Sequence, residues 1–186
     1  MEVKNIIKTS AEFLGLKNVV NYIEDSSTSS EEILADVDNL MIAVNMVNNN
    51  IASSYYELIG VVEVTTKANK ISYDEISDKS IIEIKKVEKK SGEKLEYKIM
   101  PDGIYLSQPS TCIIEYTYFP DKLTIDDNIN YYLKLNEITF SLGVVAEYLY
   151  IKGSIDDAYM WDKRFKNNLF NLLRPKRNLK MPSRRW

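Results

Sequence analysis

The side chains with the greatest potential for acid–base or metal chemistry in this sequence are pairs of adjacent acids, four of which lie outside the predicted strands. Two neighbouring carboxylates can share a proton or bind a hard cation such as Mg²⁺. Each pair lies where a helix is predicted to begin or end, or in a loop, and helix capping or solvation explains acids at such places. We therefore favour a structural role for these acids. The pairs are Glu24-Asp25, Glu31-Glu32, Asp126-Asp127 and Asp156-Asp157.

The chain contains no histidine and a single cysteine, Cys112. The usual general base and the commonest metal ligand are therefore missing. One thiol forms neither an intramolecular disulfide nor a thiolate zinc site, and Cys112 opens a predicted strand, where it is expected in the core. Neither a Walker-type loop nor a GxGxxG motif is present. We predict no catalytic residue, no metal and no cofactor; an enzyme with acids converging in a cleft is the weaker alternative.

Charge is unevenly distributed along the chain. Residues 163–186 carry nine basic side chains, among them all five arginines, and no acid, whereas residues 1–162 carry a net charge of −12. Such asymmetry is typical of an interaction segment. Arginine suits bidentate contacts with carboxylates and phosphates, and exposed methionine and tryptophan can fill a partner's pocket. The predicted partner-binding residues are Arg177, Lys180, Met181, Arg184, Arg185 and Trp186.

Helical and strand-like patterns alternate along the chain. Apolar residues at spacings of three and four predict a helix from the capping residue Ser29 or Ser30 to about residue 54. From residue 61, short runs rich in β-branched residues and tyrosine predict five or six strands. Helix is expected again from about residue 131, with a break at Gly153 and an end at Pro175. The predicted strand runs are VVEVTT, ISYDEI, SIIEIKKV, KLEYKI, GIYLS and CIIEYTYF.

These elements predict an α+β fold: a helical bundle with an inserted small antiparallel β-sheet or sandwich and a flexible basic C-terminal tail. Residues 1–60 and 127–174 would form one discontinuous helical domain, residues 61–126 the inserted β subdomain, and residues 175–186 a partner-docking tail. Charged residues interrupt the most apolar stretch, and the N-terminus has no run of signal-peptide length. The sequence therefore predicts a soluble protein with no membrane association.

The motifs IIEIKKV, LEYKIMPDGIYL and CIIEYTYFP, followed by AEYLYIKGSIDDAYMWDKRF and a basic SRRW end, resemble the head–tail adaptor (connector) proteins of tailed bacteriophages, near the tail-tubular-A type. The resemblance implies a structural virion protein of the neck, made in the bacterial host cytoplasm. Such adaptors form homo-oligomeric rings, commonly dodecamers, between the portal protein and the next tail or stopper protein. Packaged double-stranded DNA passes through the ring without specific binding. By resemblance, the segment that docks on the portal is Arg177 to Trp186.

Two other interpretations of the basic tail remain open. It could be a solvated end with no partner, or it could bind nucleic acid through its arginines and lysines. A nucleic-acid-binding tail is expected to carry more charge, fewer apolar side chains and no acidic body that repels phosphates. A nucleic-acid-binding protein is therefore the alternative function.

Overall fold

A computed structural model of the chain describes residues 1–25, 29–66, 68–130, 132 and 134–173. These residues form six helices and two three-stranded antiparallel sheets, so the predicted α+β fold is confirmed. The strand orders are β1-β6-β3 and β2-β5-β4. In chain order the elements are α1 (Val3–Leu14), α2 (Lys17–Glu24), α3 (Glu31–Ser54), β1 (Ile59–Thr65), β2 (Lys70–Ile71), α4 (Tyr73–Ile76), β3 (Ile81–Lys89), β4 (Tyr97–Met100), β5 (Gly103–Leu106), β6 (Thr111–Tyr118), α5 (Glu137–Ile151) and α6 (Ile155–Leu173).

Helix α3 has the start and the end that the sequence predicted. The Ser30 hydroxyl accepts a hydrogen bond of 3.3 Å from the backbone N–H of Ile33, which satisfies one free donor of the first turn. Glu31 and Glu32 follow in that turn, where the helix dipole favours acids. The side chains at spacings of three and four face the helical core, among them Leu40, Val44, Val47 and Ile51.

Helix α5 is the central helix, packed against α1, α3 and α6. It starts at Glu137, so the expected start near residue 131 is wrong. Asn136 caps the helix, because its side-chain oxygen accepts the Thr139 N–H at 2.8 Å. Before the cap, the Tyr132 hydroxyl donates to the backbone oxygen of Asn48 at 3.0 Å. These contacts place the start of α5 six residues later than its apolar pattern suggested.

Helix α6 lies close to α5 at a glycine. A Cβ atom at Gly143 would lie 3.0 Å from the ring of Phe165, which is 2% exposed. The absent side chain lets this aromatic ring pack directly on the α5 backbone. Ala158 and Leu169 continue the buried side of α6, so one side of this helix holds it on α5.

The two sheets enclose a second apolar cluster, which includes Ile71, Ile84, Ile104 and Ile114. Strand β6 lies between β1 and β3, and its residue Ile114 is opposite Val62 of β1. The turn from β4 to β5 brings Gly103 against β2, where a Cβ atom would lie 2.3 Å from the backbone oxygen of Ile71.

The run ISYDEI was predicted to be a strand, and most of it is not. Only Lys70–Ile71 pair in β2, and the helical turn α4 follows. Ser72 and Glu75 form a capping box, in which the Glu75 carboxylate accepts the Ser72 N–H at 2.9 Å. This reciprocal cap stabilises a helical start and ends the strand.

The N-terminal segment pairs with the connector that leads from the sheets back to the helices. The Val3 N–H donates to the Asp127 oxygen at 3.0 Å, and the Ile129 N–H donates to the Met1 oxygen at 2.8 Å. Behind this pairing, the Ser141 hydroxyl of α5 donates to the Ile6 oxygen of α1 at 3.3 Å. Residues distant in sequence thus hold α1 in the helical core.

The helical core contains residues from both sides of the inserted strands. Leu58 precedes β1 and Leu123 follows β6, and both belong to the helical cluster. The division into residues 1–60 with 127–174, 61–126 and 175–186 stays a prediction. No helix within the described residues is long and apolar enough to cross a bilayer.

Candidate interaction surfaces

The predicted partner-binding residues all belong to the C-terminal tail. They lie outside the described residues, and their role stays a prediction. They are Arg177, Lys180, Met181, Arg184, Arg185 and Trp186.

The paired acids lie at helix ends or in turns. Glu24 forms an ion pair of 2.6 Å with Lys8. Asp127 accepts hydrogen bonds from the Thr124 N–H at 2.6 Å and from its hydroxyl at 2.8 Å, and these bonds lower the pKa of the Asp127 carboxyl. Within the described part of the chain, no three or more His, Cys, Asp or Glu residues are grouped so that they could hold a metal ion. The pairs Glu31-Glu32 and Asp156-Asp157 occupy the first turns of α3 and α6.

Cys112 is a core residue of the sheet, as its place at the start of β6 indicated. Its side chain is fully buried and lies opposite Val64 of β1. Burial raises the pKa of the Cys112 thiol, so the reactive thiolate is disfavoured at neutral pH.

An open groove of about 720 Å³ lies between the outward side of α3 and the connector that follows β6. Asn45 holds the connector in place, because its side chain accepts the Leu123 N–H at 2.8 Å and donates to the Leu123 oxygen at 3.2 Å. Ile42 is 52% exposed and Met46 is 43% exposed, so the groove presents apolar surface to solvent. We call this surface the α3 groove; it is lined by Asp38, Met41, Ile42, Met46, Asn49, Ser80, Phe119, Pro120 and Lys122, together with Asn45 and Leu123.

A second exposed apolar surface lies on α6. Ile155 and Tyr159 are 66% and 61% exposed, and Lys163 follows at the same four-residue spacing, on the same side of the helix. Trp161 faces another direction and stacks on Phe13 of α1 at 5.6 Å. We call the side formed by Ile155, Tyr159 and Lys163 the outer face of α6. Large apolar groups exposed in this way mark candidate interaction sites.

A charged cluster joins α5 to α6. Glu147 of α5 is half-buried, and burial together with the charge of Asp162 raises the pKa of its carboxyl. Lys166 opposes the shift; its ammonium forms an ion pair of 2.7 Å with Asp162. The charged form of Glu147 is therefore less favourable between the two helices than in solvent.

We expect Glu147→Gln to raise the melting temperature at pH 7. Because the pKa of the Glu147 carboxyl is higher in the folded protein than its ordinary value of 4.5, protonation of this carboxyl favours the folded state. This stabilisation is complete below pH 4.5 and is lost as the pH rises through the folded pKa. The gain from the amide should therefore shrink towards pH 4. Thermal melts at both pH values measure it, with the exposed Glu96→Gln as control. A gain that persists undiminished at low pH would contradict the prediction.

No protein-family model and no curated protein matches the chain significantly.

The α3 groove and the outer face of α6 were not identified from the sequence. Ile42 and Met46 are apolar residues that fall outside the buried stripe of α3, and Ile155 and Tyr159 fall outside that of α6. Apolar side chains out of phase with the core stripe were the available signal. The fold was needed to place Phe119 and Pro120 beside those of α3.

Proposed function

We propose that the chain is a structural adaptor of a tailed-phage virion, which forms a ring under the portal protein and extends the DNA channel. The observation that carries the proposal is the separation of charge between residues 1–162, at −12, and residues 163–186, with nine bases and no acid. An acidic body repels DNA phosphates, which suits a conduit through which DNA passes without being held. The resemblance of the KGSIDDAYMWDKRF and SRRW motifs to connector proteins supports the same role.

The basic tail is the segment that docks on the portal in this proposal. Arg184 and Arg185 would bind carboxylates of the portal, since the guanidinium group presents paired donors that match a carboxylate. Trp186 and Met181 would fill apolar pockets and supply most of the buried area. Arg177 and Lys180 would add attraction at the rim of the contact, where charges mainly accelerate association.

Nucleic-acid binding through the tail is the second candidate. The nine bases of residues 163–186, five of which lie in the tail, favour it, whereas the net charge of the body opposes it. At physiological salt, charges separated by more than about 8 Å are largely screened. A tail that leaves the body could therefore touch phosphates, and direct measurement must distinguish the two partners.

Replacing Arg184, Arg185 and Trp186 together with alanine should abolish portal binding. Buried aromatic and arginine anchors commonly cost about 2–4 kcal/mol each when truncated. Helical content, measured by circular dichroism, should not change, because the sequence predicts that the last helix ends at Pro175, before these three residues. The control is Lys94→Ala with Lys98→Ala, which removes two exposed bases of the body and should leave portal binding intact.

The unchanged protein is also titrated with duplex DNA and with the portal at about 150 mM salt, near physiological ionic strength. We expect weak DNA binding and tight portal binding. Submicromolar affinity for DNA with no binding to the portal would overturn the adaptor role and favour nucleic-acid binding. Normal portal binding by the triple variant would remove the docking role of the tail.

A further inference from the structure

We propose that copies of this chain join through a heterologous contact, in which the outer face of α6 of one copy occupies the α3 groove of the next. The two surfaces use different residues, so each copy has one of each. This inference deepens the proposed function. It rests on that function only where the assembly is identified with the ring of an adaptor. The contact itself needs no portal.

The first argument is unpaired apolar surface on both helices. Tyr159 is 61% exposed although it lies in the middle of the first half of α6, and Ile42 is 52% exposed in the middle of α3. Helices of 19 and 24 residues are about 28 and 36 Å long, so one can lie along the other for several turns. An aromatic side chain entering an apolar groove is a common anchor of protein interfaces.

The second argument is the order of residue types along the two helices. Read towards the N-terminus, the outer face of α6 presents a base, an aromatic ring and an aliphatic chain at four-residue spacing. Read towards the C-terminus, α3 presents an acid, an aliphatic chain and a thioether at the same spacing. Antiparallel helices therefore match step by step, with about 6 Å between steps. The matched pairs are Lys163 with Asp38, Tyr159 with Ile42, and Ile155 with Met46.

The third argument is charge. Helix α3 has four acids and no base. Asp36 already binds the Lys152 ammonium at 2.8 Å and the Tyr148 hydroxyl at 2.8 Å. Asp38 and Lys163, in contrast, form no ion pair within the described residues, so each can take a partner from another copy.

Charge also selects the antiparallel orientation. A parallel arrangement would bring the acids at the start of α6, Asp156 and Asp157, towards Asp38 of α3. The antiparallel arrangement places them beside the uncharged residues Val44 and Asn45 and brings Lys163 to Asp38. Like charges across an interface are unfavourable, whereas opposite charges fix its register.

A contact between two different surfaces repeats from copy to copy. It closes into a ring when the rotation between copies allows it, and otherwise grows into an open filament. An isologous contact would stop at a dimer. Copies with one surface disabled therefore distinguish the two kinds of assembly.

The test uses the full chain with an aspartate introduced into one surface at a time, Tyr159→Asp or Ile42→Asp. Both side chains are more than half exposed, so we expect folded variants, checked by circular dichroism. Sedimentation velocity should show that the parent assembles and that each variant alone is monomeric. An equimolar mixture of the two variants should form a dimer and stop there, because one intact surface remains on each copy. A mixture that stays monomeric, or a single variant that assembles like the parent, overturns the inference.

A charge reversal tests the register without adding polar groups to apolar positions. Asp38→Lys and Lys163→Asp should each weaken assembly about tenfold or more, since close charge pairs across interfaces couple strongly. The double variant Asp38→Lys/Lys163→Asp should recover most of the affinity of the parent. Two additive losses without recovery would overturn the proposed pairing.

The outcomes separate this inference from the adaptor role. A parent protein that stays monomeric up to its solubility limit but binds the portal overturns the contact and leaves the adaptor role in place. Assembly that both surface variants abolish, without portal binding, supports the contact and removes the adaptor role.

Discussion

Replacing Gly103 with alanine should lower the free energy of unfolding by about 2–5 kcal/mol, because backbone strain and steric overlap add at this position. Gly103 has a φ of +145°, a backbone conformation that residues other than glycine rarely adopt. A Cβ atom there would also lie 2.3 Å from the Ile71 oxygen, which belongs to the neighbouring strand β2. The methyl group must therefore push β2 and β5 apart.

Gly92→Ala is the matched control for this change. Gly92 also has a positive φ, +85°, but a Cβ atom there meets nothing within 4 Å. Urea unfolding measures the stability that each variant loses. The loss at Gly92 reports backbone strain alone, and the loss at Gly103 reports strain together with steric overlap. We expect the Gly103 variant to be clearly the less stable; equal losses would show that the contact with Ile71 relaxes at no cost.

Phe165→Ala should lower the free energy of unfolding by about 3–5 kcal/mol, the usual cost of removing a buried aromatic side chain. The Phe165 ring is 2% exposed and packs on the α5 backbone at Gly143. Because α6 contacts mainly α5, the loss should loosen α6 first. Hydrogen exchange of the α6 amides should then accelerate more than that of the α3 amides.

The control is Met160→Ala on the same helix. Met160 is 64% exposed, and changes at exposed positions usually stay within about 0.5 kcal/mol. If the two variants lose the same stability, Phe165 does not hold α6 on α5. If both helices exchange faster to the same extent, α6 does not open separately.

The bounds of helix α3 were predicted correctly, whereas the start of α5 and the structure of the run ISYDEI were not. Helix α3 was placed from the Ser30 cap and its apolar spacing, both of which act within a few residues. The start of α5 was missed, since the apolar pattern does not show that Tyr132 bonds to Asn48 of another helix. Strand character was overestimated in ISYDEI because its apolar alternation hides the reciprocal cap of Ser72 and Glu75.

The basic tail was inferred from the charge of the sequence alone, and its role stays a prediction because it lies outside the described residues. The α3 groove needs the chain after β6 to return across α3, a path set by the hydrogen bonds between Asn45 and Leu123. No local pattern contains that information. The acid pairs were correctly assigned to helix ends and turns because capping depends on neighbouring residues.

The packing of α1 on α5 sets an order of events during synthesis. More than 120 residues separate Leu14 from Glu137, and a ribosome adds about 5–20 residues per second, so α1 waits on the order of 6–25 s for its partner. The two sheets need nothing beyond Tyr118 and can pair before α5 emerges. The inserted strands are therefore expected to pair on the ribosome while the apolar side of α1, with Ile6 and Ile7, still lacks its packing on α5.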